Sequence, residues 1–223
     1  MYQISNLTKI YKTAEIETRA LNGINLDIPD HKFVIILGES GSGKTTLLNM
    51  LGGLDTPTDG DIMVNGQNIT ELSDEKMAEY RRQKIGFVFQ HFNLIPTLTV
   101  YENIILPIIL DKRKEEETYI LQLLEKLGLS EKKDAYPHQL SGGQQQRVAI
   151  ARAFANKPEV ILADEPTGNL DSKTGQDVVD LLLKMHEVYK QTIIMITHNE
   201  KIAQYADIVI RIKDGTILNG RKV

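Results

Sequence analysis

Cysteine is absent from the 223 residues. That excludes disulfides and thiolate metal sites, and is compatible with a reducing compartment. A long hydrophobic run is missing too. The greasiest stretch, NIILPIIL from Asn103 to Leu110, is interrupted by Pro107 and falls far short of the roughly 20 residues that cross a bilayer. The N-terminus, MYQISNLTKIYKT, lacks the apolar core of a signal peptide. The chain is therefore expected not to span a membrane alone, and any membrane attachment runs through a protein partner. Excess basic charge is lacking as well: the net charge of −4 offers no broad attraction to nucleic acid or anionic lipid, so no nucleic-acid partner is expected. His31, His91, His138 and His186 stand at no metal-ligand spacing with other candidate ligands and read as surface or packing residues. Internal repeats and low-complexity tracts are not seen, only short turn-rich joints such as DTPTDGD at 55–61.

What is present is an ordinary globular composition, 41% hydrophobic and 25% charged, enough to bury a sizeable core and to argue against disorder. The first thirty residues alternate apolar and polar (Ile24, Leu26, Ile28), which predicts antiparallel strands with one wet face. FVIIL at 33–37 is an unbroken apolar run, as expected of a strand buried on both faces, and LLNMLGGL follows at helical spacing. Two more such runs, VILA at 160–163 and TIIMIT at 192–197, flank a helical pattern with Val178, Val179, Leu182, Leu183 and Met185 on its apolar side. Strand, helix, strand in this order predicts a parallel sheet. Between these halves the composition turns to charged helical segments (DKRKEEETYILQLLEKLGL). The expectation is an α/β fold: a sheet core with an N-terminal antiparallel β subdomain and an inserted helical subdomain, with 1–90 and 158–223 as the core lobe and 91–157 as the helical lobe.

The strand FVIIL runs into Gly38-Glu39-Ser40-Gly41-Ser42-Gly43-Lys44-Thr45 and Thr46, then a helix, the sequence and context of a phosphate-binding P-loop. Glycines let the backbone curl until several N–H groups face phosphate oxygens, and the helix presents its positive end. Lys44 supplies a point charge for the β- and γ-phosphates, and the Thr45 hydroxyl a Mg²⁺ ligand. Glu39, an acid beside bound phosphates, must point away from them. The strand VILA ends in Asp164-Glu165; there Asp164 can reach the Mg²⁺ shell while Glu165 polarises the attacking water. Upstream, Leu140-Ser141-Gly142-Gly143-Gln144 opens a helix. A Ser-Gly-Gly corner at a helix N-terminus is a second anion site.

LSGGQ resembles the signature motif of the ATP-binding cassettes, and the other cassette elements stand in the expected order over essentially the whole chain. By that resemblance Tyr11 is the aromatic that stacks on adenine, and Gln90 touches Mg²⁺ and water and senses the membrane partner. Asn169-Leu170-Asp171 lines a dimer seam, and His198 contacts the γ-phosphate. The resemblance implies ATP and Mg²⁺ as ligands, with Thr45, Gln90 and Asp164 around the metal. Each ATP would lie between the P-loop of one copy and Ser141 to Gln144 of a second. The stretches GLDTPTDG, FVFQHFNLIPTLTVYENIILP and ADEPTGNLDSKTG resemble the branch containing the MacB and LolD ATPases. That implies an ATPase on the cytoplasmic face of the membrane, driving shape change in a permease for export or efflux. Because the chain stops soon after its last strand, the permease is expected on a separate polypeptide, with an envelope adaptor as a further component. The cell-wall-regulating FtsE-type cassettes use the same apparatus without transport and form the first alternative. The second is a soluble cassette acting on nucleic acid or ribosomes. Such proteins carry two cassettes or a long coiled-coil insertion, and neither fits here. A GTPase is disfavoured because the string nearest to N-K-x-D, Asn156-Lys157-Pro158-Glu159, ends in Glu. The apolar string from Phe92 to Ile109 either packs internally or forms part of the permease groove.

Overall fold

A computed structural model describes residues 1–13 and 16–222, with side chains described through 218. The chain divides into two compact units, Met1–Ala78 with Thr192–Val223, and Glu79–Gln191.

In the first unit the alternating N-terminal segment folds as expected. Strands β1 (Tyr2–Lys12) and β2 (Glu17–Ile28) pair antiparallel. Ile24 and Ile28 are turned to the interior, while Leu26 is half-buried. Strand β3 (Phe33–Leu37) follows, and helix α1 (Lys44–Leu51) packs behind the loop between them. Strand β4 (Asp59–Val64) pairs with β1, and the short β5 (Gln67–Asn68) completes a sheet of order β2-β1-β4-β5. The turn-rich joint at 55–61 thus ends inside a strand: Asp61 already pairs with Ser5 and Asp59 with Thr8. Its Asp and Gly chemistry is that of a turn, and the neighbouring strand overrides that local preference.

Beside this sheet's β2, the end of the chain supplies β8 (Thr192–Ile196), β9 (Ile208–Lys213) and β10 (Thr216–Lys222). Strand β3 runs parallel to both β8 and β9, and β10 returns antiparallel along β9. All five residues of β3 and all five of β8 are buried, as continuous apolar runs require of a strand covered on both faces. Each such side chain contributes on the order of 1.5–3 kcal/mol of transfer free energy, an upper estimate. The effect holds the loop after β3 on a rigid base.

Helix α2 (Asp74–Lys84) leads into the second unit, where β6 (Ile85–Val88) pairs parallel with β7 (Val160–Asp164). Between these strands every element is helical: α3 (Val100–Leu110), α4 (Glu117–Lys126), two short 3₁₀ turns and α5 (Gly142–Ala155), with α6 (Ser172–Tyr189) after β7. Helix α3 continues through Pro107, the residue that breaks the apolar run in sequence. A reciprocal capping box between Thr99 and Glu102 starts it. Val100, Ile104, Ile105 and Ile108 are buried, so much of the apolar string packs internally, while Ile95, Ile109 and Leu110 stay exposed. Among the described residues, no helix is long and apolar enough to cross a membrane.

Candidate functional site

The loop from Gly38 to Gly43 joins the buried β3 to α1. Gly43 is the helix N-cap at φ 102°, and a Cβ there would come within 2.4 Å of the Ala20 carbonyl oxygen. Only glycine fits both the angle and the space. Having no side chain, Gly43 makes no side-chain cap to the first turn, and the start of α1 presents the positive end of the helix outward. The loop is braced from outside as well: Gly215 N–H donates to Ser42 O at 3.0 Å, and Gly215 O accepts from Asn22 N–H at 2.9 Å.

Lys44 is only 6% exposed, and its ammonium donates to the carbonyl oxygens of Gly38 at 2.9 Å and Glu39 at 2.7 Å. Both partners are neutral dipoles, so the cation is oriented without being neutralised, and one of its three donors is left over. Ser42 Oγ is buried with no hydrogen-bond partner. A buried cation, an orphaned hydroxyl and an uncapped helix start in one loop fit a polyanion. Beside them opens a cleft of about 350 Å³ lined by Thr18, Arg19, Gly41, Lys44, Thr45 and Thr46 among others. Gly38 and His198 instead line a second cleft of about 330 Å³, together with Glu39, Glu200 and Arg211. Glu39 and Ser40 are exposed.

Tyr11 stands outside the first cleft's lining, 41% exposed at the end of β1. Its hydroxyl donates to Asp55 Oδ2 at 2.8 Å, and Lys9 joins the group, pairing with Asp55 Oδ1 at 2.7 Å and lying 4.9 Å from the Tyr11 ring centroid. Partial burial and the bond to Asp55 raise the Tyr11 phenol above its ordinary value, against an opposing contribution from the Thr46 hydroxyl. Burial pushes the Asp55 carboxyl up, but hydrogen bonds from Lys9, Tyr11 and the Thr56 N–H outweigh it and hold Asp55 below the ordinary range. The ring is thereby fixed in angle, with a cation over one face. No motif marks Lys9, and the GLDTPTDG stretch that contains Asp55 gives no sign that its carboxylate meets Tyr11, 44 positions away.

In the second unit, Asp164 and Glu165 sit half-buried at the end of β7. Glu165 takes φ 42°, uncommon for a residue with a side chain, and its carbonyl accepts from Gly168 N–H at 3.0 Å, closing the turn. Ser141 is the N-cap of α5, its Oγ accepting from Gln144 N–H at 3.3 Å while Gln144 Oε1 accepts from Ser141 N–H at 2.9 Å. The Gln144 amide is thus part of a capping box. The Ser141 hydroxyl, accepting from Gln144, still has its own O–H to donate. A Cβ at Gly143 would come within 2.5 Å of Thr174 Cγ2, so the corner lies tight against the first turn of α6. Asp171 caps that helix, accepting from Lys173 and Thr174 N–H at 3.1 Å each, and the Thr174 hydroxyl is the main cause of its lowered carboxyl pKa.

The Asn169 amide meets both the side-chain amide and the backbone carbonyl of Gln90. Gln90 Nε2 donates to Asn169 Oδ1 at 3.1 Å, and Asn169 Nδ2 donates to Gln90 O at 3.0 Å and lies 3.1 Å from His91 Nδ1. His91, read in sequence as a surface or packing residue, is exposed and takes part in this loop contact. Helical periodicity in the sequence does not separate buried or half-buried polar side chains such as Gln146 and Arg152 from solvated ones. Arg152 donates to Phe92 O at 2.8 Å and Asn93 O at 2.5 Å, and Gln146 is fully buried. Among the described residues, no group of three or more His, Cys, Asp or Glu could hold a metal ion. A Mg²⁺ that arrives with a nucleotide usually needs only one or two protein groups, the rest of its shell being phosphate oxygens and water.

Comparison with known proteins gives a consistent result. Residues 21–168 match the ABC transporter family. The chain is 49% identical, over 98% of each protein, to an uncharacterised ABC transporter ATP-binding protein of Methanocaldococcus jannaschii. It is 46% identical to the macrolide export ATP-binding/permease protein MacB of Hyphomonas neptunium, over 98% of this chain but 34% of MacB. A solved ATP-binding cassette of M. jannaschii, dimeric in a post-hydrolysis state with ADP and phosphate, superposes with a TM-score of 0.90 at 45% identity, covering 100% of this chain and 98% of that one.

Proposed function

The chain belongs to the ABC transporter family as an ATP-binding, ATP-hydrolysing subunit with the P-loop NTPase fold, and we propose that it powers export through a separate permease of the MacB type. In this reading two copies close on two ATP, and the closing seam moves the segment 91–157, the helical lobe. The permease changes shape in response and passes a lipoprotein, peptide or drug outward, with this subunit on the cytoplasmic face of the membrane. The observation that carries the reading is the 46% identity to MacB, whose name joins ATP-binding and permease functions.

The site residues take the following proposed roles. Lys44 and the N–H groups of Gly41, Gly43, Thr45 and Thr46 hold the phosphates, with Gly38, Ser40 and Ser42 shaping the cradle, and Tyr11 stacks on the base. Thr45, Gln90 and Asp164 hold Mg²⁺, which neutralises charge on the phosphates when bound. Glu165 accepts a proton from the attacking water, and His198 steadies the γ-phosphate. Ser141, Gly142, Gly143 and Gln144 of the second copy close the far side, with Asp171 at the seam.

The test is purification of the tagged chain from detergent-solubilised membranes of its native host. The expected result is one co-purifying multispan protein that raises ATP turnover several-fold when both are reconstituted in vesicles. Recovery without any membrane protein, or an ATPase rate indifferent to the permease, contradicts the export reading.

A further inference from the structure

Gln146 is fully buried in α5, five residues after Ser141. Its Nε2 donates to Pro166 O at 2.7 Å and to Phe89 O at 3.4 Å, while its Oε1 is buried without a partner. The assignment of the amide is not ambiguous. Both neighbours are carbonyl oxygens, so only the NH₂ group can face them. Packing alone does not account for this side chain, because a methionine fills the same volume without burying an unpartnered amide oxygen. What the amide supplies is a pair of donated hydrogen bonds at two particular places. Pro166 directly follows Glu165 in its strained turn, and Phe89 directly precedes Gln90. Farther along the same helix, Arg152 holds Phe92 O and Asn93 O, both residues at positive φ (57° and 51°). One rigid helix thus carries the Ser-Gly-Gly corner at its start and grips, from its side, the backbone beside Glu165 and on both flanks of Gln90.

We propose that Gln146 is a positioning residue that transmits the state of the Ser141 corner to Glu165 and Gln90 of its own chain. This rests on the reading that the corner meets the nucleotide held by a second copy. Occupation of that nucleotide shifts the first turn of α5, and the Gln146 amide carries the shift to the Pro166 and Phe89 carbonyls. Glu165 and Gln90 then adopt the geometry for hydrolysis at the chain's own nucleotide. Each site of the pair thereby senses the other, which is a coupling between two binding events through one bistable contact.

The experiment compares wild type, Gln146→Met and the buried control Val148→Ala in three readouts: thermal unfolding, ATP-dependent dimer formation in a Glu165→Gln background, and hydrolysis rate against ATP concentration. Wild type is expected to be sigmoidal, with a Hill coefficient approaching about 2, the number of sites. Gln146→Met is expected to dimerise with ATP yet show a Hill coefficient near 1 and a kcat about ten-fold lower, while Val148→Ala loses thermal stability and keeps the sigmoid. Should Gln146→Met not fold, Gln146→Asn, which keeps the amide but shortens its reach, reads the same quantity. A sigmoidal Gln146 variant overturns the role of Gln146 alone. A hyperbolic wild type that forms no ATP-dependent dimer overturns the paired reading beneath it.

Discussion

Glu165→Gln is expected to slow steady-state ATP hydrolysis by roughly 10²–10⁴-fold, the usual contribution of a positioned proton acceptor, while leaving ATP binding intact. Glutamine keeps the size of the side chain and removes its ability to take a proton. The backbone should not relax around the change, because the turn is fixed independently of that carboxylate: the Glu165 carbonyl accepts from Gly168 N–H, and Pro166 O accepts from Gln146. With chemistry stalled and binding preserved, the paired state should accumulate. Gel filtration is expected to give a monomer without nucleotide and a dimer with ATP, and phosphate release to be almost lost. Turnover at the wild-type rate would remove Glu165 from the role proposed for it.

Lys44→Ala is expected to fail differently. The ammonium is buried and already aimed by two carbonyls, so its electrostatic effect on phosphate is exerted from a low-dielectric position and needs no reorganisation. Loss of one such stabilising group costs about 10²–10³ in kcat. Because the charge also meets the phosphates before reaction, binding should weaken too. Fluorescent-nucleotide titration with single-turnover hydrolysis separates the two effects. Glu165→Gln should retain affinity and lose rate, whereas Lys44→Ala should lose both. Unchanged rates in Lys44→Ala would reject the phosphate loop itself.

The contrast between these residues and their supports shows what the sequence made legible. The phosphate loop could be read because its constraints are local: a buried five-residue strand, glycines at the turn, and a helix start all lie within 33–51. The Ser141 corner was legible for the same reason, and the structure adds the Gln144 capping box within that motif. The supports are non-local and chemically plain. Asp55 is one of many acids until Lys9 and Tyr11 converge on it, and Gln146 sits among three consecutive glutamines that differ only in which way the helix turns them. Sequence periodicity gave no reason to separate the fully buried one from its partly exposed neighbours. Likewise, the φ of Glu165 depends on the turn after β7, and β4 begins at Asp59 because β1 is there to pair with it. Tertiary partners decided each of these, and no local propensity encodes them.

In the proposed assembly ATP is gripped by the phosphate loop of one copy and the serine-glycine corner of another. The chain's lack of cysteine allows a direct measurement. Glu39→Cys and Gln145→Cys are made as separate proteins, each also carrying Glu165→Gln, then mixed and treated with a short bis-maleimide. A covalent dimer is expected in the mixture with ATP, little without ATP, and little from either protein alone. No cross-link at any ATP concentration, or an equal yield with and without nucleotide, contradicts it.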